Sequence, residues 1–485
     1  MITKQRADIA VIGAGVIGLT TGILLARDGH RVTVLERDPE SPPVDAEAAC
    51  QGWQRPGVGQ FRQPHLMLPR WHHEMARELP DLLEALLAGG GRRTNLLHLQ
   101  PASATGGWRP GDERFDTVAA RRPALEATLA RTAAAQPRLT IRRGLRVTGL
   151  LAGTRSGAPH VRGLRTDSGE VAADLVVDAA GRRTPVPGWL AGLGVLPEQR
   201  LVPGGFRYYG RQFRAADGRL PAGRGAVLSH LPSFSVLTLP ADLGTYSVVL
   251  VTSSRDRALR ALRNEHGWLA AVGCSPVAAH WVRCGIPMTE VTPYAGPDQH
   301  SRSYLRDGEP NVTGVLAIGD ALATTNPALG RGVTLGVIAA LALRDVLAAT
   351  VDPREQIVRF AAATAEQVAP WVQLSAVFDR HRLAELNADI DGIAYATDDP
   401  SWAMTTALLA GAGLDPLLAR ASSRIAGLLA PPQTVLADPT VQQRLGRYLG
   451  RPRYPPTTPD RAELLDAITL STSTSGSTPP VRTSS

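Results

Sequence analysis

The hydrophobic pattern changes character several times along the 485 residues. ADIAVI (7–12) is a short unbroken apolar run, as expected of a strand buried on both faces. A Gly-rich turn follows, then an apolar stretch that predicts a helix to about Asp28, with Gly29 as its stop. RVTVLE (31–36) predicts a second strand, so the chain opens on a βαβ unit. Residues 45–70 are rich in Gly, Pro and Gln and predict irregular chain. Helical spacing returns over 71–88 and ends at the glycines 89–91. A helix over 123–135 leads into a strand over 139–151, and 161–181 read as a hairpin and a buried strand. Short β-rich runs between turn residues predict an antiparallel meander over 204–252. Residues 255–272 have helical spacing. GVLAIGDA (314–321) returns to the buried-strand style, a long apolar helix covers about 332–349, and 353–450 are mainly helical. The Ser/Thr/Pro-rich end, 466–485, predicts disorder.

Composition changes this picture little. The chain is 44% hydrophobic and carries a formal charge of +8. Lys4 is the only lysine, so of 52 basic residues all but one are arginine. They are scattered, with no long basic run and no RNA-binding signature, which argues against a nucleic-acid partner. Cys50, Cys274 and Cys284 form no CxxC pair or disulfide framework. The start lacks the long apolar run of a signal peptide, and Arg344 and Asp345 interrupt the longest apolar stretch. Both observations predict a cytoplasmic chain with no transmembrane segment. His72, His73 and Glu74 have no third ligand at metal spacing, so no metal site is expected.

Chemistry enters with Gly13-Ala14-Gly15-Val16-Ile17-Gly18, between a strand and a helix. Gly13 permits the tight turn, Gly15 lets a pyrophosphate approach the backbone, and Gly18 lets helix and strand pack closely. The helix N-terminus supplies free N–H groups and a favourable dipole for the phosphates. Glu36 ends the second strand, 18 residues past Gly18. A carboxylate there accepts bonds from ribose hydroxyls and repels a 2′-phosphate, so the nucleotide is FAD or NAD rather than NADP. Arg37, next to it, is placed in the same nucleotide site.

A second constellation separates FAD from NAD. Gly319-Asp320 follows an apolar strand, and Asn326-Pro327-Ala328-Leu329-Gly330-Arg331-Gly332 leads into a helix. AIGDALATTNPALGRGVTLG resembles the GD motif of the flavoprotein monooxygenase superfamily, the group of p-hydroxybenzoate hydroxylase and squalene epoxidase. The resemblance covers roughly residues 7–350. It implies an α/β fold: a glutathione-reductase-type Rossmann FAD-binding domain, an antiparallel β-sheet substrate domain and a helical C-terminal region. The implied division is 1–186 and 310–350 for FAD, 187–309 for substrate, 351–465 helical and 466–485 disordered.

It further implies that Asp320 binds the ribityl or pyrophosphate side of FAD, with Pro327, Gly330 and Gly332 against the isoalloxazine. Arg121-Arg122-Pro123 resembles the family's arginine-led helix start, with Arg122 reaching the phosphates. Residues 55–74 resemble the loop that carries an Arg or His towards the flavin, making Arg62 and His65 the catalytic candidates. Asp178-Ala179-Ala180-Gly181 departs from the family's Asp-Gly motif and resembles the reductase, halogenase and epoxidase branches. With no second Rossmann fingerprint, NADH or NADPH is expected to bind transiently.

The resemblance therefore implies a monooxygenase. NAD(P)H and O2 would be consumed to hydroxylate or epoxidise a small organic substrate, such as a polyketide, isoprenoid or aromatic metabolite. No buried acid–base pair is evident, which leans towards an epoxidase. A reductase or dehydrogenase without oxygen transfer, and a flavoprotein that only binds nucleotide, are the alternatives. Halogenation would need an active-site lysine, and Lys4 precedes the first strand. No strand–GxSxG–helix elbow of a hydrolase is present.

Overall fold

The computed structural model describes residues 6–58, 61–63, 65–155, 157–451, 453–454 and 458–474. The chain divides into two compact units. The first comprises Met1–Arg93, Ala120–Pro203 and Pro297–Val377; the second comprises Thr94–Ala119, Gly204–Gly296 and Phe378–Ser485. Lys4, the residue weighed against halogenation, lies outside the described residues.

The first unit is built on a five-stranded parallel sheet. Its order is Val315–Ala317, Leu175–Asp178, Asp8–Ile12, Arg31–Glu36, Leu139–Arg143. The unbroken apolar runs follow from burial on both faces. The helix Val16–Arg27 is apolar all round and is buried along most of its length. It lies so close to the sheet that a Cβ on Gly22 would meet Leu139 Cδ1 at 2.9 Å. The helix Gly332–Ala349 packs on it equally closely, since a Cβ on Gly336 would meet the Ile17 side chain at 2.6 Å. An antiparallel three-stranded sheet (Val147–Arg155, Ala158–Thr166, Gly169–Ala172) and two strand pairs (Glu198–Val202 with Gln299–Ser303, and Leu305–Arg306 with Glu309–Pro310) also belong to this unit.

The second unit carries an antiparallel sheet in the order Leu228–His230, Ser235–Pro240, Thr245–Ser253, Phe206–Ala215, Gly285–Pro287. Thr292–Ala295 also pairs with Phe206–Ala215. Its core joins Phe213, Tyr246, Trp268 and Trp281 to aliphatic side chains. Two of its buried polar handles are satisfied: Trp268 Nε1–H donates to the Tyr209 carbonyl at 3.0 Å and the Tyr246 hydroxyl donates to the Trp281 carbonyl at 2.8 Å.

Several expectations are corrected. The helix expected over 71–88 is two, Pro69–Glu78 and Pro80–Ala88, because Pro80 lacks the N–H needed to continue. The strand expected over 139–151 breaks at Gly144, whose φ of +70° turns the chain out of the parallel sheet. The irregular stretch 45–70 contains a helix, Ala46–Gln51, capped by Asp45. Residues 94–119 join the second unit, where Arg420 bonds the Asp112 carboxylate at 2.6 Å and the Thr105 and Gly107 carbonyls at 2.6 and 3.0 Å. The helical region expected as one block from 351 is divided, with 353–377 in the first unit.

The tail expected to be disordered from 466 is helical to Thr474. Leu464 and Ile468, one helical turn apart, enter the second unit's core. Residues 475–485 lie outside the described residues. Gly332–Ala349 reaches 18 residues at a mean hydropathy of 1.8, long and apolar enough to cross a membrane, contrary to the sequence expectation. It is 67% buried inside the chain, which is how a core helix passes the same test.

Candidate functional site

The carboxyl ends of the parallel strands gather the residues singled out in the sequence, as open parallel sheets do with their ligands. Gly13 has a φ of +100°, and a Cβ there would lie 2.8 Å from the Ala179 carbonyl oxygen. A Cβ on Gly18 would lie 2.0 Å from the Gly13 carbonyl oxygen. Gly15 is different. Its φ of −80° suits any residue, yet nothing lies within 4 Å of its Cβ position. Gly13 and Gly18 are thus required by packing, whereas Gly15 borders open space. Gly15 is also the N-cap of Val16–Arg27, with no side-chain cap and no acidic residue in the first turn. Unobstructed N–H groups at a helix start beside open space fit a diphosphate.

Glu36 is buried at the end of its strand. Its Oε2 accepts from Ala14 N–H at 2.9 Å and from Arg55 Nη2 at 2.5 Å, and its Oε1 accepts from Asp38 N–H at 3.0 Å. The protein itself thus uses part of the carboxylate's accepting capacity. Oε1 retains capacity for a hydroxyl, while Oε2 is occupied by the protein. Arg37 is exposed and lies over Gly57.

Arg55 organises the middle of the site. Its side chain is 2% exposed and contacts Glu36, Asp38 at 2.9 Å and Glu126 at 2.8 Å. Burial pulls its pKa down, but the three carboxylates outweigh that and leave it raised. Glu126 also holds Arg122, Nε to Oε1 at 2.7 Å, and Arg122 Nη1 reaches His65 Nε2 at 3.4 Å. The series Glu36–Arg55–Glu126–Arg122–His65 thus joins residues 90 positions apart in sequence.

Asp320 sits in a 3-10 turn, with its Oδ1 3.6 Å from the Cβ position of Gly332, the first residue of the long helix. Burial raises its pKa, while Arg122 and Arg182 act against that rise. Pro327 opens a second 3-10 turn capped by Asn326, and Gly330 closes it in the left-handed region at φ +66°. Arg331 is held by Ser375 Oγ at 2.7 Å and over the Trp371 ring at 5.7 Å.

Residues 8–149 match the model of the family described as FAD dependent oxidoreductase. The chain is 30% identical over 375 residues to protein Rv3254 of Mycobacterium tuberculosis, across 72% of this chain and 74% of that one. The chain belongs to the FAD-dependent oxidoreductases. The fold is shared with PqsL, described as a probable FAD-dependent monooxygenase from Pseudomonas aeruginosa (TM-score 0.58, 18% identity, 79% of this chain, 97% of that). It is also shared with OxyS, an anhydrotetracycline hydroxylase from Streptomyces rimosus (TM-score 0.55, 19% identity, 88% of this chain, 76% of that).

In this FAD-dependent oxidoreductase the two catalytic candidates diverge. Arg62 contacts the Cys50 carbonyl and the Trp53 carbonyl, the latter at 2.9 Å, so its guanidinium braces its own loop. His65 does meet the site through Arg122. Burial and then the Arg122 cation bring its pKa down to about 3, so it is neutral at physiological pH. With Nδ1 2.9 Å from the Gln63 carbonyl, the network assigns the proton to Nδ1 and leaves Nε2 as acceptor. A neutral acceptor facing Arg122 is a positioning group.

Arg55, Asp38 and Glu126 were missed. Their signal was faint: Arg55 lies in a stretch without periodicity, and Glu126 is four residues after Arg122 on one helix face. Asp178 is buried, accepts from Ala180 N–H at 3.0 Å and from the Thr184 hydroxyl at 2.7 Å, and has its pKa pushed up to about 6 by burial. The two alanines that separate it from Gly181 let its carboxylate close this turn beside Gly13. Among the described residues no three His, Cys, Asp or Glu side chains are gathered to hold a metal.

Proposed function

We propose that the chain is a monooxygenase with a glutathione-reductase-type FAD domain. It would take electrons from NADH or NADPH and place one atom of O2 on a small organic substrate by hydroxylation or epoxidation. The carrying observation is the combination of open space at Gly15 with the Asp320–Arg122 cluster. FAD, when bound, supplies the redox and oxygen-transfer chemistry. The chain's own residues bind and orient it. N–H groups at the start of Val16–Arg27 hold the diphosphate, Glu36 Oε1 takes a ribose hydroxyl, and Arg122 adds positive charge on the phosphate side. Asp320 takes ribityl or phosphate-side hydroxyls, and its place by Gly332 sets it against the positive end of the long helix. Pro327, Gly330 and Gly332 bring backbone rather than side chain to the ring.

The description of PqsL as a probable FAD-dependent monooxygenase and of OxyS as a hydroxylase supports this reading, as does the motif pair. The test is incubation of the FAD-loaded protein with NADH or NADPH and 18-O2 against candidate aromatic, polyketide and isoprenoid substrates. One heavy oxygen in the product is the expected result. Addition of two hydrogens without oxygen would establish a reductase and overturn the proposal.

A further inference from the structure

Among the described residues no hydrogen-bond donor meets the Asp320 carboxylate; Arg122 and Arg182 act on it through charge alone. Its direction is therefore set by the backbone of its own turn, Gly319–Ala321. That turn cannot hold itself. The N–H groups of Ala323 and Thr324 would close a helical turn onto the Asp320 and Ala321 carbonyls, but they are used elsewhere. Ala323 N–H donates to the Gly319 carbonyl at 2.9 Å and Thr324 N–H to the His300 carbonyl at 2.8 Å. The carbonyls of Asp320 and Ala321 are left to other donors.

The strand Gln299–Ser303 supplies them. One of its edges pairs with Glu198–Val202, and the other bridges Ser301 to Ala323. Side chains alternate along a strand, so His300 and Arg302 share a face. Both reach the turn. His300 Nε2 lies 3.0 Å from the Asp320 carbonyl oxygen, and Arg302 Nη1 donates to the Ala321 carbonyl at 2.6 Å.

The state of His300 suits this task. Its ring is buried. Burial and then the Arg302 cation bring its pKa down to about 4, so it is neutral at physiological pH. A carbonyl oxygen only accepts, so the network assigns the single ring proton to Nε2 and leaves Nδ1 as acceptor, 3.3 Å from Thr324 Oγ1. Thr324 Oγ1 also accepts His300 N–H at 2.8 Å and lies 3.1 Å from the Asp298 carbonyl oxygen. The imidazole is thus fixed on both edges and presents one donor, to Asp320.

We propose that His300 is a positioning residue for the cofactor: by holding the Asp320 carbonyl it aims the otherwise unbonded carboxylate, while Arg302 braces the next carbonyl. This role rests on the reading of Asp320 as a ligand of FAD. The test is a double-mutant cycle read as the Kd for FAD, by flavin-fluorescence titration of the full chain, with urea unfolding of the same cofactor-free samples. His300→Leu is expected to weaken FAD binding by roughly five- to tenfold, the range of one hydrogen bond, and by no more than Asp320→Ala does. His300→Gln, whose amide nitrogen reaches the Nε2 position, is expected to restore most of the affinity. His300→Asn, whose amide stops at the Nδ1 position, is not. In an Asp320→Ala background the effect of His300→Leu on Kd is expected to vanish, because no carboxylate is left to aim. Arg302→Met, at a half-buried side chain, is expected to show the same dependence on Asp320, which keeps the test decisive if His300→Leu fails to fold. A lower unfolding midpoint with unchanged Kd, a loss that persists in full beside Asp320→Ala, or a His300→Gln variant as weak as His300→Leu would each overturn the positioning role while leaving Asp320 in the site. Unchanged Kd in Asp320→Ala alone would overturn the reading of Asp320, and the role of His300 with it.

Discussion

The three glycines of the nucleotide loop look interchangeable in sequence, but the structure gives them different consequences. Consider Gly15→Val. The backbone at Gly15 is ordinary, with φ −80° and ψ −177°, and no atom lies within 4 Å of the new Cβ. The cofactor-free protein should therefore keep its stability to within about 1 kcal/mol, since the N-cap loss and the gain from a stiffer unfolded chain nearly cancel. The cofactor has no such tolerance. The side chain fills the approach to the first N–H groups of Val16–Arg27, and each charge-assisted bond to phosphate contributes about 1.5–3 kcal/mol. Losing two should weaken FAD binding by roughly two to four powers of ten. Apo-protein melting measured alongside flavin-fluorescence titration reads both quantities. A variant that melts like the wild type and fails to take up FAD is the expected result. Full flavin content at unchanged Kd would refute the assignment of this space to the diphosphate.

Gly18→Ala should behave oppositely, because its Cβ would lie 2.0 Å from the Gly13 carbonyl oxygen; loss of soluble folded protein is expected, and a wild-type melting curve would contradict the packing argument. Arg55→Met strands the buried carboxylates of Glu36, Asp38 and Glu126 and should cost about 3–5 kcal/mol in denaturant unfolding. An unchanged midpoint would show that those charges are compensated elsewhere. Asp178 binds its proton more tightly when folded, its pKa rising from 3.8 to about 6. Its stabilising share is present below the unfolded pKa and is lost as pH rises through the folded one, a change of about 3 kcal/mol at most. Asp178→Asn should remove that decline between about pH 4 and 6; parallel stability curves for the two proteins would exclude it. Asp320→Ala should weaken FAD binding by roughly tenfold through the loss of a hydrogen-bonded carboxylate, and unchanged affinity would remove Asp320 from the site.

Local sequence determined the βαβ entry, because an unbroken apolar strand, a Gly-rich turn and an all-apolar helix have few other ways to satisfy backbone and burial together. It also determined the antiparallel meander and the long helix after Gly332, where periodicity and turn residues agree. The breaks were less legible. Pro80 could be read locally, but Gly144 turns the chain only because the neighbouring strand already pairs with Leu139–Arg143. The membership of 94–119 in the second unit depended on Arg420, more than 300 positions away. The same holds for the site. Gly13, Gly18, Glu36 and Asp320 announce themselves because their chemistry is tied to fixed spacings along one element. Arg55 and His300 have no such spacing. Their meaning comes from which carboxylates surround the one and which carbonyl the other reaches, and burial and hydrogen bonding of that kind exist only once separate segments have packed together.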